Sequence, residues 1–305
     1  PIIDSILGLK YIFSIDNNKT LYNKKETYKF KIGSSLLFGL CNIDAFVYEN
    51  PYMLNLGFMV SNESINFNNK LKKLENMNNF EYQNLMFQTM NNSKKRYLES
   101  YKMVNFDIEK LIYEYEINND KDFYLYFPTM FNNGHKSSVD IYLNNKLIGT
   151  YTTTSRNVIH IKNSFKNEKV KIKLKLNDGG IAGIPFLYYL NDQYFIEDVK
   201  KLQEKQLDIT YFSDTYIKGN INATKDNNIM FLSIPYEDGW HVYVDGKEAK
   251  KELLYNIFIG VKLKEGKHEI EMKYKTPGLM IGIIISSISL VMVIIYSKLI
   301  SKKIN

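Results

Sequence analysis

The chain is poor in the residues that build covalent or metal-linked sites. Cys41 is its one cysteine, so no disulfide can form within the chain. The four histidines, at positions 135, 160, 241 and 268, show neither the H-E-x-x-H motif nor another paired ligand spacing. Phosphate-binding loops, dinucleotide fingerprints and the G-x-S-x-G nucleophile motif are also absent. We therefore predict no metal site and no cofactor.

Charge is present but is not concentrated in blocks. The formal net charge is +7, with Lys and Glu interspersed along the chain. A solvated surface is the favoured interpretation, and attraction to an anionic lipid or an anionic polymer is the alternative. We predict no nucleic-acid partner. With 45% hydrophobic and 14% aromatic residues, the chain can bury folded cores rather than remain disordered.

One long segment carries no charge at all. Residues Gly278–Tyr296 read GLMIGIIISSISLVMVIIY, and about 18 apolar residues are enough to cross a hydrocarbon core of about 30 Å. A buried helix of a soluble protein is the alternative, but such a helix is rarely apolar on every face. We predict a transmembrane helix over residues 278–297, followed by a tail at 298–305.

The charges that flank this helix predict its orientation. Lys298, Lys302 and Lys303 follow the helix, and cytoplasmic flanks are enriched in such residues. Lys273 and Lys275 on the other side count against this interpretation, although a large folded domain contributes less to the balance. We expect an extracytoplasmic body and a cytoplasmic C-terminus. A tail-anchored protein with a cytosolic body is the alternative.

The remaining sequence predicts a mainly β fold. Residues 170–176 alternate strictly between apolar and charged, as a half-buried strand requires. Residues 62–90 instead fit one or two helices, with Ser64 as a capping residue. We predict two β-sandwich (jelly-roll-like) units with short helices. The expected bounds are a mixed α/β segment at 1–96, β-sandwich units at 97–190 and 207–277, and a helical linker at 191–206.

The two β units contain similar segments. Ile141–Lys146 and Val242–Lys247 each run from an alternating strand into a two-residue turn, Asn-Asn or Asp-Gly, and then a lysine. Such turns suit tight hairpins. Chance similarity between ordinary hairpins is one explanation, and a duplicated β-sandwich is the one we favour.

Several segments together resemble the bacterial YfhO membrane protein family. The strongest block is Ile234–Gly246, IPYEDGWHVYVDG, and Pro277-Gly278 then leads into the transmembrane segment. Further blocks are Leu7–Ile12, Tyr48–Phe58 and Asn79–Asn84. Their order and spacing over nearly the whole chain make the resemblance specific.

This resemblance implies a membrane glycosyltransferase-like protein of the bacterial plasma membrane. Such a protein has many spans, an extracytoplasmic β-rich region and a last C-terminal span. It would transfer a sugar from a polyprenyl-phosphate donor to a cell-envelope glycopolymer such as teichoic acid. The N-terminal span bundle is expected to precede Pro1 and to carry the catalytic carboxylate, so we assign no catalytic residue here. Expected partners are the lipid bilayer, that bundle, the lipid-linked sugar and the anionic glycopolymer.

The residues themselves suggest where a sugar would bind. Aromatic faces beside carboxylates suit sugars, and Tyr236, Glu237, Asp238 and Trp240 form such a group. The alternative is that Trp240 packs in a core while the acids form a turn. Adjacent acids in a strand point to opposite faces, which argues against an acid/base pair.

A second group of candidate sugar ligands precedes Pro51. Glu49 and Asn50 either form the turn before this proline or line an acceptor cleft. A non-enzymatic, membrane-anchored envelope- or carbohydrate-binding domain therefore remains open as the second function.

Overall fold

The fold is that of a computed structural model, which describes residues 1–14, 21–32, 41–74, 77–126, 130–131, 138–152, 158–177, 181–182 and 184–304. His135 lies outside these residues. The chain forms two compact units. Unit 1 comprises Pro1–Leu56 and Val60–Glu204, and unit 2 comprises Gly57–Met59 and Lys205–Asn305. The predicted mainly β fold with short helices and one C-terminal apolar helix is confirmed. The domain bounds predicted from the sequence stay predictions.

The described residues form 23 strands, β1 to β23 in chain order. They begin with β1 Tyr11–Ser14, β2 Asn23–Ile32, β3 Cys41–Glu49, β4 Gly57–Val60, β5 Leu98–Ser100, β6 Lys102–Asp107, β7 Ile112–Ile117 and β8 Phe123–Tyr126. They continue with β9 Met130–Phe131, β10 Ser138–Leu143, β11 Lys146–Thr152, β12 Ile159–Ile161, β13 Glu168–Leu176, β14 Ile181–Ala182, β15 Phe186–Leu190 and β16 Asp208–Phe212. The last are β17 Tyr216–Ala223, β18 Ile229–Pro235, β19 Trp240–Val244, β20 Lys247–Glu248, β21 Lys251–Leu254, β22 Phe258–Lys262 and β23 Gly266–Tyr274.

The helices are short except for the last one. They are α1 Ile2–Ile6, a 3-10 helix Asn62–Asn66, α2 Phe67–Leu71, α3 Asn79–Asn91, α4 Asp192–Gln203 and α5 Leu279–Ile304. The predicted cap at Ser64 is wrong. Ser61 caps the 3-10 helix by accepting a hydrogen bond from the Glu63 amide, and Asn78 caps α3. Ser64 is instead buried, and its hydroxyl donates to the Thr89 carbonyl at 3.4 Å.

Unit 1 contains a β-sandwich. One sheet has the strand order β11-β10-β13-β7-β6 and the other β12-β8-β15-β5. Strand β13 alternates buried and exposed residues, as its sequence predicts. Its buried Val170, Ile172 and Leu174 share one core with Phe123 and Leu125 of the second sheet. Burial of this apolar face between two sheets is what stabilises the sandwich.

A third sheet of unit 1 has the order β1-β3-β2. Strand β3 lies in its centre and is antiparallel to both neighbours. This sheet carries Glu49 at the end of β3, so it positions one pair of the predicted site residues.

Unit 2 repeats the topology of the first sandwich sheet. Its five-stranded sheet has the order β16-β17-β23-β19-β20, and β21-β22-β18-β4 form the second sheet. In unit 1 the hairpin β10-β11 lies at one edge, β10 pairs with the later strand β13, and the earlier strands β7 and β6 complete the sheet. In unit 2 the hairpin β19-β20, the later strand β23 and the earlier strands β17 and β16 occupy the same positions. The registers agree as well, since Leu143 pairs with Ile172 and Val244 pairs with Ile270.

The two hairpin turns share one hydrogen-bond pattern. Asn144 and Asp245 both have positive φ angles, at 45° and 51°, as a tight primed turn requires. The Asn144 side-chain oxygen accepts from the Lys171 amide at 2.8 Å, and an Asp245 carboxylate oxygen accepts from the Glu269 amide at 3.0 Å. The predicted hairpin repeat is therefore present in the register and also in the turn chemistry.

Helix α5 carries the segment that is long and apolar enough to cross a membrane. Within the described residues this candidate span is Leu279–Ser297, and none of it is buried against the protein. A core helix of a soluble protein would be covered, so its exposure supports a membrane span.

Candidate functional site

The residues Tyr236–Trp240 form a loop and a strand start in unit 2. The loop connects β18 to β19, and the Tyr236 amide donates to the Ile257 carbonyl at 2.6 Å. Glu237 and Asp238 are exposed, whereas Trp240 is half-buried. The structure thus brings one indole and two carboxylates together at the same end of the unit.

Trp240 packs on a second aromatic residue. Its ring and that of Tyr274 are 5.2 Å apart in an edge-to-face arrangement, a favoured geometry for aromatic pairs. The Tyr274 hydroxyl donates to Glu237 Oε2 at 3.3 Å. Desolvation and the nearby Glu237 charge raise the pKa of Tyr274, so its hydroxyl keeps its proton at neutral pH.

Gly239 allows this close packing. An added Cβ there would lie 2.5 Å from a Tyr274 ring atom and 2.8 Å from the Lys275 carbonyl oxygen. The Gly239 carbonyl also accepts from the Lys275 amide at 2.8 Å. The loop is therefore fixed against the end of β23, four residues before α5 begins.

Glu49 and Asn50 occupy different environments in unit 1. Glu49 is partly exposed and pairs with Lys25 at 2.7 Å. The hydrogen bond from Lys25 lowers the pKa of the Glu49 carboxyl below its ordinary value. Asn50 is only 3% exposed. Its amide nitrogen donates to the Leu9 carbonyl at 3.1 Å, and its side-chain oxygen accepts from the Tyr52 amide at 3.0 Å, so Asn50 holds the turn.

A cleft of unit 1 was not predicted from the sequence. Its volume is about 340 Å³, at the lower end of the range for small-molecule sites. It is lined by Pro1, Ile3, Asp4, Leu21, Tyr22, Phe80, Gln83, Leu98, Tyr124, Val158 and His160. These residues come from six separate parts of the chain, so no local motif marks them.

Carboxylates and tyrosines define the chemistry of this cleft. The Tyr22 hydroxyl donates to Asp4 Oδ2 at 2.7 Å, and burial together with the Asp4 charge raises the pKa of Tyr22. Burial, followed by the charges of Asp192, Asp122 and Asp4, raises the pKa of Tyr124. Both tyrosines therefore stay neutral and are hydrogen-bonding groups rather than bases.

The one imidazole of the cleft is held by a carboxylate. His160 Nε2 lies 3.1 Å from Asp122 Oδ2. An ionised carboxylate only accepts hydrogen bonds, so in neutral His160 the proton lies on Nε2 and Nδ1 is an acceptor. The His160 ring also lies 5.3 Å from that of Tyr124. Aromatic rings beside fixed donors and acceptors are what a polar ring-shaped ligand such as a sugar requires.

The described residues contain no group of three or more His, Cys, Asp or Glu side chains that could hold a metal ion. What they do contain are two aromatic–carboxylate surfaces, the Tyr236–Trp240 loop of unit 2 and the cleft of unit 1.

Fold and site together define a class, a β-sandwich protein with one apolar C-terminal helix suited to a membrane. The family profile described as "Bacterial membrane protein YfhO" matches residues 1–286. Because this match covers most of the 305 residues, the chain belongs to the YfhO family of bacterial membrane proteins.

One curated relative is the "Uncharacterized protein YfhO" of Bacillus subtilis (strain 168). It is 34% identical over 110 residues, which are 36% of this chain and 13% of the relative. Among solved structures, the GH2 beta-galacturonidase from Eisenbergiella tayi bound to galacturonate is 10% identical. Its match covers 85% of this chain and 39% of that enzyme, with a TM-score of 0.19. That score is too low to support an argument about fold or function.

Proposed function

We propose that the chain is the extracytoplasmic, sugar-handling region of a membrane glycosyltransferase-like protein. The whole protein would transfer a sugar from a polyprenyl-phosphate donor to a cell-envelope glycopolymer such as teichoic acid. Family membership and the exposed apolar helix support a protein of the bacterial plasma membrane. The observation that carries the sugar-binding part is the aromatic, carboxylate-lined cleft of unit 1.

Within this proposal the cleft receives one sugar of the acceptor polymer. Its volume of about 340 Å³ suits a single small ring. Tyr124 and His160 would lie against the ring of the sugar, while Asp4 and Gln83 would bond its hydroxyl groups. The lining has few positive charges, so recognition would rest on the sugar itself rather than on the phosphates of the polymer.

Glu237, Asp238, Tyr236 and Trp240 are proposed to contact the sugar of the donor. Their loop lies next to the residues that lead into α5, and the donor sugar is attached to a membrane lipid. Glu49 remains a proposed contact with the acceptor. For Asn50 the proposed role is to fix the turn before Pro51, because its side chain is buried.

A blocking variant tests the cleft. Val158 lines it and is 44% exposed, so Val158→Arg should obstruct the cleft without burying a charge. Leu147→Arg is the matched control, since Leu147 is 50% exposed, also in unit 1, and not a cleft residue. We expect calorimetry with glycosylated teichoic acid to show binding that Val158→Arg abolishes and Leu147→Arg retains. Equal binding by both variants would contradict sugar binding in the cleft.

The chain by itself should be catalytically inactive. The described span carries no Asp, Glu, Lys, Arg or His side chain, although such side chains are the usual sign of function inside a membrane. Incubation of residues 1–305 with a polyprenyl-phosphate sugar and acceptor should therefore give no transfer. Turnover would instead assign the chemistry to acids such as Glu49, Glu237 or Asp238.

A non-enzymatic carbohydrate-binding domain is the second candidate function, because the cleft suits binding without any reaction. A gene deletion in the bacterium distinguishes the transferase from the binding domain. If the gene is deleted, loss of sugar from the wall polymer, restored by the intact gene, supports the transferase. Unchanged sugar content in the wall polymer after the deletion supports the binding domain.

We also propose that the body is extracytoplasmic and that Asn305 is cytoplasmic. The test uses a Cys41→Ser background, because Cys41 is the one native thiol. A membrane-impermeant maleimide applied to intact cells should label Lys225→Cys, in an exposed loop of unit 2. It should label Asn305→Cys only after permeabilisation. The reverse pattern would establish the tail-anchored orientation.

A further inference from the structure

The connection between unit 2 and α5 is short and fixed. The Leu279 amide donates to the Thr276 carbonyl at 3.3 Å, and Gly278 has a φ of 77°. Pro277 and Gly278 thus occupy the central positions of a type II turn, which brings its first and fourth Cα atoms to within about 7 Å. With one more peptide step of about 3.8 Å, Lys275 lies within about 11 Å of the start of the span.

The length of the span places that start at the edge of the hydrocarbon. At about 1.5 Å per residue, the 19 residues of Leu279–Ser297 extend about 28 Å, and the hydrocarbon core is about 30 Å thick. The headgroup layer adds about 5–8 Å on each side. The end of β23 therefore lies in or directly above the headgroups.

Three loops of unit 2 lie at this same end. The Tyr274 amide donates to the Thr215 carbonyl at 2.8 Å, in the loop 213–215 between β16 and β17. The Lys275 amide donates to the Gly239 carbonyl in the loop 236–239, whose Tyr236 amide reaches Ile257 in the turn 255–257. We call these three loops the membrane-proximal end of unit 2.

Exposed apolar side chains of unit 2 are concentrated there. Outside α5, the large hydrophobic residues of unit 2 that are exposed are Phe212, Tyr211, Ile257, Leu253 and Tyr236, at 63%, 54%, 51%, 46% and 37%. All five are in these loops or within two residues of them. Unit 2 is described throughout residues 205–304, so this asymmetry is not caused by undescribed segments.

The opposite end of the unit is polar. Its loops are Thr224–Asn228, the turn Asp245-Gly246 and the segment Lys264–Glu265. Polar loops at one end and apolar, tyrosine-rich loops at the other are expected when only one end meets lipid, because Trp and Tyr favour the headgroup level.

Charge at the membrane-proximal end is balanced rather than basic. The positive charges of Lys251, Lys273 and Lys275 are balanced by the negative charges of Asp214, Glu237 and Asp238. Lys251 also donates to the Glu237 carbonyl at 2.6 Å and lies 5.0 Å from the centre of the Tyr236 ring. An anionic lipid would gain little from such a surface, so apolar and aromatic insertion is the favoured mode of contact.

We infer that the membrane-proximal end of unit 2 is a phospholipid-binding surface that rests in the headgroup layer of the bilayer crossed by α5. Phe212 and Ile257 insert among the lipid chains, and Trp240 and Tyr274 lie at headgroup depth. Unit 2 is thereby fixed upright on the membrane instead of turning freely about its anchor. This inference is independent of sugar transfer and of the side of the membrane.

Trp240 is the one tryptophan of the chain, so its fluorescence reports on this end alone. Residues 1–305 are reconstituted into phosphatidylcholine vesicles that carry a nitroxide either at the headgroup or deep in the acyl chain. We expect the headgroup nitroxide to quench Trp240 more strongly than the deep one. Addition of salt should leave this quenching unchanged.

The control moves the fluorophore to the polar end. In a Trp240→Phe, Lys247→Trp variant, the tryptophan sits in an exposed strand beside the Asp245-Gly246 turn. Its fluorescence should be insensitive to lipid nitroxide and should be quenched by aqueous acrylamide. Equal lipid quenching at both positions would overturn the proposed contact of the membrane-proximal end with the headgroup layer.

A second variant tests the inserted residues directly. Phe212→Asp with Ile257→Asp alters two exposed side chains, so the melting temperature should stay the same while the headgroup quenching of Trp240 falls. Retained quenching would exclude insertion by these residues. If native Trp240 is shielded from both lipid nitroxide and acrylamide, the end is covered by protein, and the inference is wrong.

Discussion

Gly239 offers a sharp test of how the Trp240 loop is held. Its φ is not in the left-handed region, so alanine is excluded by space rather than by backbone conformation. In Gly239→Ala the new methyl would meet the Tyr274 ring at 2.5 Å and the Lys275 carbonyl oxygen at 2.8 Å. The ring can turn only by giving up its contact with Trp240, and the carbonyl belongs to the main chain.

The cost follows from these two contacts. Overpacking of a closely packed site costs about 1–3 kcal/mol, and the Lys275 amide–Gly239 carbonyl bond at 2.8 Å would also be distorted. We expect Gly239→Ala to lower the free energy of unfolding of unit 2 by about 2 kcal/mol. For a unit of this size each kcal/mol corresponds to about 4–8 °C in melting temperature.

Thermal unfolding in detergent micelles, followed by Trp240 fluorescence, measures the stability of unit 2, which contains both Gly239 and Trp240. Gly282→Ala in α5 of the same unit is the control, because its added Cβ would have no neighbouring atom within 4 Å. It should leave the transition unchanged. A Gly239→Ala protein with the native melting temperature and the native Trp240 emission would refute the packing of Trp240 and Tyr274 described above.

Three further predictions concern groups away from this loop. Asn84 is 2% exposed and forms three hydrogen bonds with main-chain groups at the start of β5. Asn84→Ala should therefore cost unit 1 about 3 kcal/mol, while Asn91→Ala in the same helix costs far less, as urea unfolding will measure. Partial burial lowers the pKa of His268, but its bonds to Asp245 and the Lys264 carbonyl outweigh this and raise it. The stabilisation by His268 is then full below about pH 6.5 and is lost as the pH rises through the higher folded-state pKa. The difference in unfolding free energy between wild type and His268→Gln should shrink from pH 5.5 to pH 9, and a constant difference would contradict the pairing. Finally, Asn144→Ala and Asp245→Ala should each destabilise their own unit by about 1–2 kcal/mol, because each removes one turn bond and puts alanine at a positive φ; calorimetry that finds either variant neutral would contradict the shared role of these turns.

Local sequence patterns determined the elements whose physics is local. The uncharged run predicts α5 because a membrane requires length and apolarity alone. The strict alternation at residues 170–176 predicts β13 because one face of that strand is buried. The paired turns at Asn144 and Asp245 predict the repeated hairpins, since tight turns need residues that tolerate positive φ. The predicted cap at Ser64 was wrong, because Ser61, three residues earlier, accepts the capping hydrogen bond.

Tertiary structure decided everything that depends on distant parts of the chain. Residues 57–59 join unit 2 although their neighbours in sequence belong to unit 1, and no short pattern encodes such a pairing. Asp4, Tyr124 and His160 form one cleft only after three separate segments have packed together. The same holds for Phe212, Trp240 and Ile257, which share one end of unit 2 because antiparallel strands bring their loops together there. A sequence records which residues are polar, aromatic or apolar, but long-range strand pairing determines which of them meet.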